Sequence, residues 1–458
     1  MSEIEKNKNY ILNITGMTHE GQGVGRIEGF AVFVDGALEN EQVEVRIIKL
    51  NKSYAVGKLV TILKPSPHRV EPFCGAYRRC GGCSLQHMDY EAQLEFKTKL
   101  VRDNLERLGG LKNVIVHDAI GMKHPMNYRN KAQYPVASVN GIVTTGFYAA
   151  RSHHVIDSDE CGIQDIVSDK VRKVVRQYII ERNLSIYDET TGKGLIRHII
   201  TRVGFNTGEI MVVLVLNGKS LPMTEDLVNK LVETVPGIKS IFLNINTENT
   251  NIILGERNIR LFGSDTIADT IGRYKFLISP HSFFQVNPVQ TEVLYSKALE
   301  YAALTGTETV FDLYSGIGTI SLFLSAKAGK VYGVEVVEEA IADARKNAEL
   351  NGVNNVEFIL GEAENTVPEL YKKGIRADVV VLDPPRKGCE ESLLSLLADM
   401  QPDRIVYVSC NPATLARDLK YLDGQGYKAI EAQPVDMFAW TGHVEAVVLM
   451  QNMRKQQK

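Results

Sequence analysis

The stretch Val310-Phe311-Asp312-Leu313-Tyr314-Ser315-Gly316-Ile317-Gly318-Thr319-Ile320 reads as an apolar strand, a glycine turn and the first turn of a helix. Without Cβ atoms, Gly316 and Gly318 let a ligand approach the backbone. Downstream, Val331-Tyr332-Gly333-Val334-Glu335 reads as the next strand, with an acid at its tip 17 residues past Gly318. A carboxylate there can accept both ribose hydroxyls of an adenosine. A dinucleotide site calls for a third glycine near 321, where this chain has Ser321. S-adenosylmethionine (SAM) has no pyrophosphate to cradle and suits the looser G-x-G. A plain strand–helix turn would also give the glycines; the acid at the right distance favours a nucleoside cofactor.

Working outward, the chain alternates strand and helix from about Thr309. Strands are expected at 309–313, 330–335, 355–360, 377–382, 404–409, 427–433 and 443–450. That is the pattern of an α/β, doubly wound parallel sheet, which binds ligands at the carboxyl ends of its strands. Asp383-Pro384-Pro385-Arg386 follows one strand, so Asp383 falls in that crevice. D-P-P is common among SAM-dependent methyltransferases acting on nitrogen or on nucleobases. Cys410 closes the next strand, before Asn411-Pro412. A cysteine there is often a small buried hydrophobe. Its place one strand beyond Asp383 makes it the candidate nucleophile. The rival is Cys389, in the charged loop Arg386-Lys387-Gly388-Cys389-Glu390, where a thiolate could be stabilised; no strand end fixes it. Glu445, at the start of the last strand, is either a surface-facing residue or a functional carboxyl inside an apolar element.

Towards the N-terminus, short β-branched runs at 10–14, 30–34 and 42–47, with turn signals between them, predict a five-stranded barrel closed by Ala55–Leu63. Lys64-Pro65-Ser66-Pro67 reads as a linker. Three of the six cysteines crowd between 74 and 83, which points to metal or redox chemistry and not to a disulfide framework. A helix is expected over 89–108, ending at Gly109-Gly110. The chain from about 125 to 265 reads as α+β, and Pro280 to Asn287 carries a dense aromatic and amide cluster.

The whole chain has 458 residues, 44% hydrophobic and 23% charged. At about 150 residues per domain that suggests three domains. No apolar run approaches the roughly 18 residues of a membrane span, and Met1 to Tyr10 lacks a secretory apolar core, so a cytoplasmic protein with no membrane partner is expected. The net charge of −3 argues against non-specific nucleic-acid binding. Any such contact must use local patches: Arg78-Arg79, Arg129-Asn130-Lys131, Arg151-Ser152-His153-His154 and Lys193 to His198.

Five motifs in order now resemble one family: Phe283-Phe284-Gln285-Val286-Asn287, Asp312-Leu313-Tyr314-Ser315-Gly316, Asp383-Pro384-Pro385-Arg386, Ser409-Cys410-Asn411-Pro412 and Gly442-His443-Val444-Glu445. The sequence resembles the RNA uracil-5-methyltransferases over essentially its whole length, and within them the bacterial 23S rRNA branch. The resemblance implies an OB-like TRAM barrel that binds RNA over 1–63. It implies a central domain over 68–88 and 115–270, and a SAM-dependent methyltransferase domain over 89–114 and 271–458. It implies that Cys74-x5-Cys80-x2-Cys83 and Cys161 bind a [4Fe–4S] cluster; the sequence chemistry alone supports a tetrathiolate site, iron–sulfur or zinc. It further implies Cys410 as the nucleophile on uracil C6 and Glu445 as the base that removes the C5 proton. Gln285, Tyr314, Glu335 and Asp383 become SAM contacts with Gly316 and Gly318. Phe283 stacks on a flipped uracil that Gln285 also faces. The expected enzyme is a monomer acting on a single-stranded or loop uridine of 23S rRNA. The tRNA branch in bacteria generally lacks the TRAM domain and the cluster. Other readings are a tRNA uracil-5-methyltransferase, a nitrogen-directed RNA methyltransferase without a covalent intermediate, and an RNA-binding module on an inactive fold. Intact Cys410, Glu445 and Asp383 speak against the last.

Overall fold

The computed structural model of the chain describes residues 4–454. Residues 1–3 and 455–458, the outer ends of the expected barrel and SAM domains, lie outside the described residues.

Five strands, β1 (Asn9–Met17), β2 (Gly23–Ile27), β3 (Phe30–Asp35), β4 (Gln42–Leu50) and β5 (Tyr54–Lys64), close into a barrel in the order β1-β2-β3-β5-β4. Alternation sends Leu12, Ile14, Val32, Val34, Val43, Val45 and Ile47 inward to form its core. A carboxylate pins the barrel to the 66–69 segment beyond β5. Glu41 is buried and receives Arg69 Nε at 2.5 Å, and it also accepts the backbone N–H groups of Leu38 and Ser66.

The expected helix is α1 (Tyr90–Arg107), capped by Asp89, whose side chain accepts from Ala92 N. β6 (Ile115–Val116) comes after it. Next come β7 (Lys131–Val139), β8 (Ile142–Tyr148), β9 (Val155–Asp157), α2 (Ile166–Glu181), β10 (Ile196–Val203), β11 (Ile210–Leu216), α3 (Thr224–Thr234), β12 (Ile238–Ile245) and β13 (Arg257–Gly263). The strands β7 to β13 form one sheet, in the order β13-β12-β11-β10-β7-β8-β9. Every residue of β10 and β11 is buried. One face of that sheet packs on α2 and α3, while Ile200, Met211, Val213 and Phe242 on the other join the core of the C-terminal domain. The hairpin β14 (Ile267–Ile271) and β15 (Tyr274–Ile278) leads into that domain.

The remaining elements are α4 (Pro288–Ala302), β16 (Thr309–Leu313), α5 (Thr319–Ser325), β17 (Lys330–Glu335), α6 (Glu338–Leu350), β18 (Val356–Leu360), α7 (Ala363–Lys372), β19 (Val379–Leu382), α8 (Glu391–Met400), β20 (Arg404–Ser409), α9 (Pro412–Gly424), β21 (Tyr427–Val435) and β22 (Glu445–Asn452). They build an eight-stranded sheet in the order β18-β17-β16-β19-β20-β22-β21-β6. The first five strands are parallel, as the alternating pattern predicts. The rest depart from a purely parallel sheet. β22 runs antiparallel between β20 and β21, and β6 adds itself beside β21. Two residues are too few to carry a periodic signal, so β6 is invisible in the sequence, which assigns 115 onward to the central region. Both faces of the sheet are covered. Val310, Val379, Val381 and Val406 face α4 and α5, while Phe311, Val380, Leu382 and Ile405 face α8 and α9. Val101 and Leu105 of α1 join the second face. No helix among the described residues is long and apolar enough to cross a membrane.

Candidate active site

The strand order reverses between β16 and β19, and there the carboxyl ends of β16, β17, β19 and β20 diverge around a cavity of about 1620 Å³. Phe283, Gln285, Tyr314, Gly316, Glu335, Asp383, Cys410 and Glu445 all line it. Residues far apart in the chain thus meet in one place.

The turn after β16 is shaped by main-chain geometry. Tyr314 holds φ +69, strained for a side chain bearing a Cβ, and its hydroxyl donates to Glu364 Oε1 at 3.1 Å. Gly316, at φ +55, faces open space, so a ligand can approach its backbone closely. Gly318 differs. A Cβ there would stand 2.6 Å from Phe358 Cζ, and the residue does not line the cavity. Its glycine is required by packing against Phe358. Glu335 accepts Gly316 N at 3.0 Å with one oxygen, and Val336 N and Val337 N at 2.9 and 3.0 Å with the other. The acid at the strand tip therefore also fixes the glycine turn. Beside this turn Asp312 Oδ1 and Ser315 Oγ are buried without a partner among the described residues. Burial raises the Asp312 carboxyl to about 7. Ser315, which lines the cavity, and the close approach allowed at Gly316 fit a nucleoside cofactor at this strand tip.

Cys410 is held between two fixed points. Ser409 ends β20, and Asn411 caps α9 by accepting from Ala413 N, with Pro412 opening the helix. Asn411 Nδ2 and Thr414 Oγ1 both donate to Arg386 O, which ties the Asp383–Gly388 loop to the same helix end. Ser409 pairs with Ala446 across the ladder, so Glu445 comes opposite Cys410 just beyond it. Burial raises the Cys410 thiol to about 11, reinforced by the charges of Glu445 and Asp383, and Arg386 opposes this. Glu445, 5% exposed, is raised to about 8 by burial and then by Asp383. Asp383 is raised by burial to about 7. This is a thiol and two carboxyl groups whose ionisation is mutually opposed.

The rival thiol is elsewhere. Cys389 is buried in the core between β20 and α9, off the cavity. Its backbone N–H donates to Asp418 Oδ2 at 2.8 Å, and Tyr407 donates to Sγ at 3.6 Å and to Asp418 at 2.6 Å. A thiol raised to about 12 and sealed in this way is a packing group.

Phe283 is 72% exposed at the cavity wall. Its loop is held from both sides. Arg202 donates to Pro280 O and Ser282 O, Asn130 Nδ2 donates to Gln285 O at 3.0 Å, and Asn287 caps α4 and donates to Met437 O at 3.0 Å.

Cys74, Cys80, Cys83 and Cys161 line a second cavity of about 340 Å³, and all four thiols are free. Burial raises Cys83 to about 12 and Cys161 to about 11, and the four act on one another electrostatically. Among the described residues, no three His, Cys, Asp or Glu side chains are arranged around a single metal ion. Arg386, Phe438 and His443 line both cavities, so one wall separates them.

Sequence reasoning missed what holds that wall. Lys97 on α1 is fully buried and donates to Asp436 Oδ1 at 2.5 Å and to Phe438 O at 3.0 Å. Tyr90 donates to Asp436 Oδ2 at 2.7 Å. A signal was present: Gln93, Lys97, Val101 and Leu105 recur every four residues, so a lysine stands in the apolar stripe of α1.

Residues 246–453 match the family tRNA (Uracil-5-)-methyltransferase, and residues 5–60 match the TRAM domain. The chain is 57% identical to an uncharacterized RNA methyltransferase of Clostridium tetani, over 98% of this chain and 97% of that one. It is 53% identical to another of Caldanaerobacter subterraneus subsp. tengcongensis, over 99% and 100%. Among solved structures it is similar to the Pyrococcus abyssi tRNA (uracil-54, C5)-methyltransferase in complex with S-adenosyl-L-homocysteine. That likeness has a TM-score of 0.77 and 30% identity, and covers 96% of this chain and 99% of that one.

Proposed function

The chain belongs to the SAM-dependent RNA uracil-5-methyltransferase family and carries a TRAM domain, and from that membership we propose that it methylates C5 of a uridine in 23S rRNA through a covalent Cys410 adduct. The observation that carries the chemistry is the meeting of Cys410 and Glu445 across the end of one ladder.

Uracil C5 is a weak nucleophile. The Cys410 thiolate adds to C6, and the electron pair passes to C5 and O4, so that C5 becomes nucleophilic. SAM, when bound, supplies the methyl group as a sulfonium electrophile. The Glu445 carboxylate then takes the C5 proton, and the pair left behind expels Cys410 Sγ from C6. Arg386 is the cation that favours ionised Cys410 and Glu445. Gln285, Tyr314, Gly316, Glu335 and Asp383 hold the cofactor, with Gly318 setting the helix that begins after it. Phe283 stacks on the base turned out of its RNA, which must leave its stack to react.

The ribosomal substrate is supported by the TRAM domain together with the four cysteines, the combination carried by the branch the sequence resembles. A tRNA uridine is the second reading, favoured by the likeness to the P. abyssi enzyme. The four thiols lining one cavity support a tetrathiolate site, and the resemblance makes it a [4Fe–4S] cluster, with zinc as the second reading. A cytoplasmic monomer fits this assignment.

RNA carrying 5-fluorouridine tests the chemistry. Fluorine cannot leave C5 as a cation, so elimination stops and protein should remain joined to RNA on a denaturing gel. Cys410→Ala should form no adduct, and Cys389→Ala should form it normally. Adduct formation by Cys410→Ala would move the nucleophile elsewhere, and methyl transfer without any adduct would favour a nitrogen-directed enzyme. Mapping 5-methyluridine in 23S rRNA and tRNA from a deletion strain separates the two substrates.

A further inference from the structure

Beside the Pro280–Asn287 loop lies a group of cations with no anion among them. Lys131 opens β7 and pairs directly with Arg202 of β10 in the antiparallel ladder. Like charges so placed destabilise a sheet. Arg202 is buried, and its guanidinium donates to main-chain carbonyls, Pro280 O at 3.0 Å and Ser282 O at 2.7 Å; among the described residues its Nε has no partner. Arg129, two residues before Lys131, lies over the Phe438 ring at 5.9 Å and faces the cysteine cavity. Among the described residues no carboxylate acts on the half-buried Lys131 ammonium. Burial, and after it the charges of Arg202 and Arg129, push it down to about 7. Buried cations are ordinarily paired.

Its neighbours fix where a missing anion would lie. Asn130, between Arg129 and Lys131, donates its backbone N–H to Val286 O at 2.9 Å and its side chain to Gln285 O. With Arg202 on Pro280 and Ser282, the cations bracket the loop that presents Phe283 and Gln285 to the catalytic cavity. Lys131 itself does not line that cavity. An anion on it therefore lies outside the space that takes the base and the cofactor, as the backbone of a nucleotide flipped into that space also does.

We propose that Lys131, backed by Arg202, binds the RNA phosphate adjoining the uridine turned into the cavity. The proposal rests on the protein's being an RNA methyltransferase that flips its target base.

The test is binding of transcribed 23S rRNA over a range of KCl concentrations. Neutralising one phosphate contributes about 0.7 to 1 to the slope of log affinity against log salt. Lys131→Met should lose that much slope and bind on the order of tenfold more weakly at low salt. Lys131→Arg should restore both. SAM affinity, read by calorimetry, should be the same in all three proteins. Removing a cation from between two others relieves repulsion, so Lys131→Met should melt above the wild type. A folded Lys131→Met with unchanged slope and affinity, or one that loses SAM and keeps RNA, overturns the proposal. The wild-type adduct with 5-fluorouridine RNA is read alongside. With that adduct present, an unchanged Lys131→Met removes the phosphate site alone. With it absent, the C5 reading fails, and the salt slope still decides whether Lys131 meets a phosphate.

Discussion

Glu445 is an acid at the head of an apolar strand, and burial beside Asp383 holds its carboxyl up to about 8. As the proposed base it must be ionised, so the step that releases the methylated uracil should quicken as pH rises through about 8. Glu445→Gln should instead accumulate the methylated adduct on ordinary uridine RNA, visible on a denaturing gel. The same shift affects stability with the opposite sense. A carboxyl raised by folding stabilises the fold fully below its unfolded value, and that contribution is lost as pH rises through the folded one. The ligand-free wild type should therefore lose melting temperature relative to Glu445→Gln between about pH 4.5 and 8.5. Glu335→Ala removes three accepted N–H bonds at the glycine turn. If Glu335 also holds the ribose, calorimetry should find SAM bound more weakly by about 1.5–3 kcal/mol, roughly 10- to 150-fold; unchanged affinity would remove it from that contact. Asp383 and Cys410 are legible in the sequence because strand ends are. The reason for Gly318 is not, since nothing in a local sequence announces contact with Phe358, a residue on a later strand.

The loop between β21 and β22 forms the wall common to both cavities, and α1 holds it through Lys97 and Asp436. Breaking a buried pair leaves one charge without a partner, which costs about 3–5 kcal/mol. Lys97→Ala should lose stability in that range by urea unfolding, while Lys97→Met with Asp436→Asn should lose much less. A surface lysine would show neither effect. Most elements are readable from periodicity. The sequence places α1 at 89–108 and the helix runs Tyr90–Arg107, because Asp89 is a cap that a sequence displays. The parallel strands are equally plain. The end of the sheet is not: β22 is apolar enough to read as one more parallel strand, and its antiparallel insertion depends on the tertiary path of the 436–444 loop.

At the scale of the molecule, the barrel, the central sheet and the large sheet are each foreshadowed in the sequence, but their contacts are not. Glu41 with Arg69, and Met211, Val213 and Phe242 in the core of the neighbouring domain, are distant in sequence and carry no joint pattern. The cysteine cavity lies between the 74–86 segment, the central region and the Arg386 and 438–443 loops of the C-terminal domain. Protein purified without oxygen should be brown and contain iron and sulfide. Stoichiometric zinc without iron would exclude a cluster, and replacing any of Cys74, Cys80, Cys83 or Cys161 by serine should reduce soluble yield more than SAM affinity. The position of β22 has a consequence for the growing chain. It is the latest described strand in order of synthesis, yet it lies inside the sheet, between β20 and β21, and begins with Glu445. Lys97 emerges from the ribosome 339 residues before Asp436. A nascent chain that has made everything through β21 therefore has a gap in its largest sheet, and its buried ammonium has not yet met its carboxylate, which comes one residue later. If Glu445 is the base proposed above, a chain that stops short of β22 should transfer no methyl group to RNA, because that strand both fills the gap and brings the carboxyl.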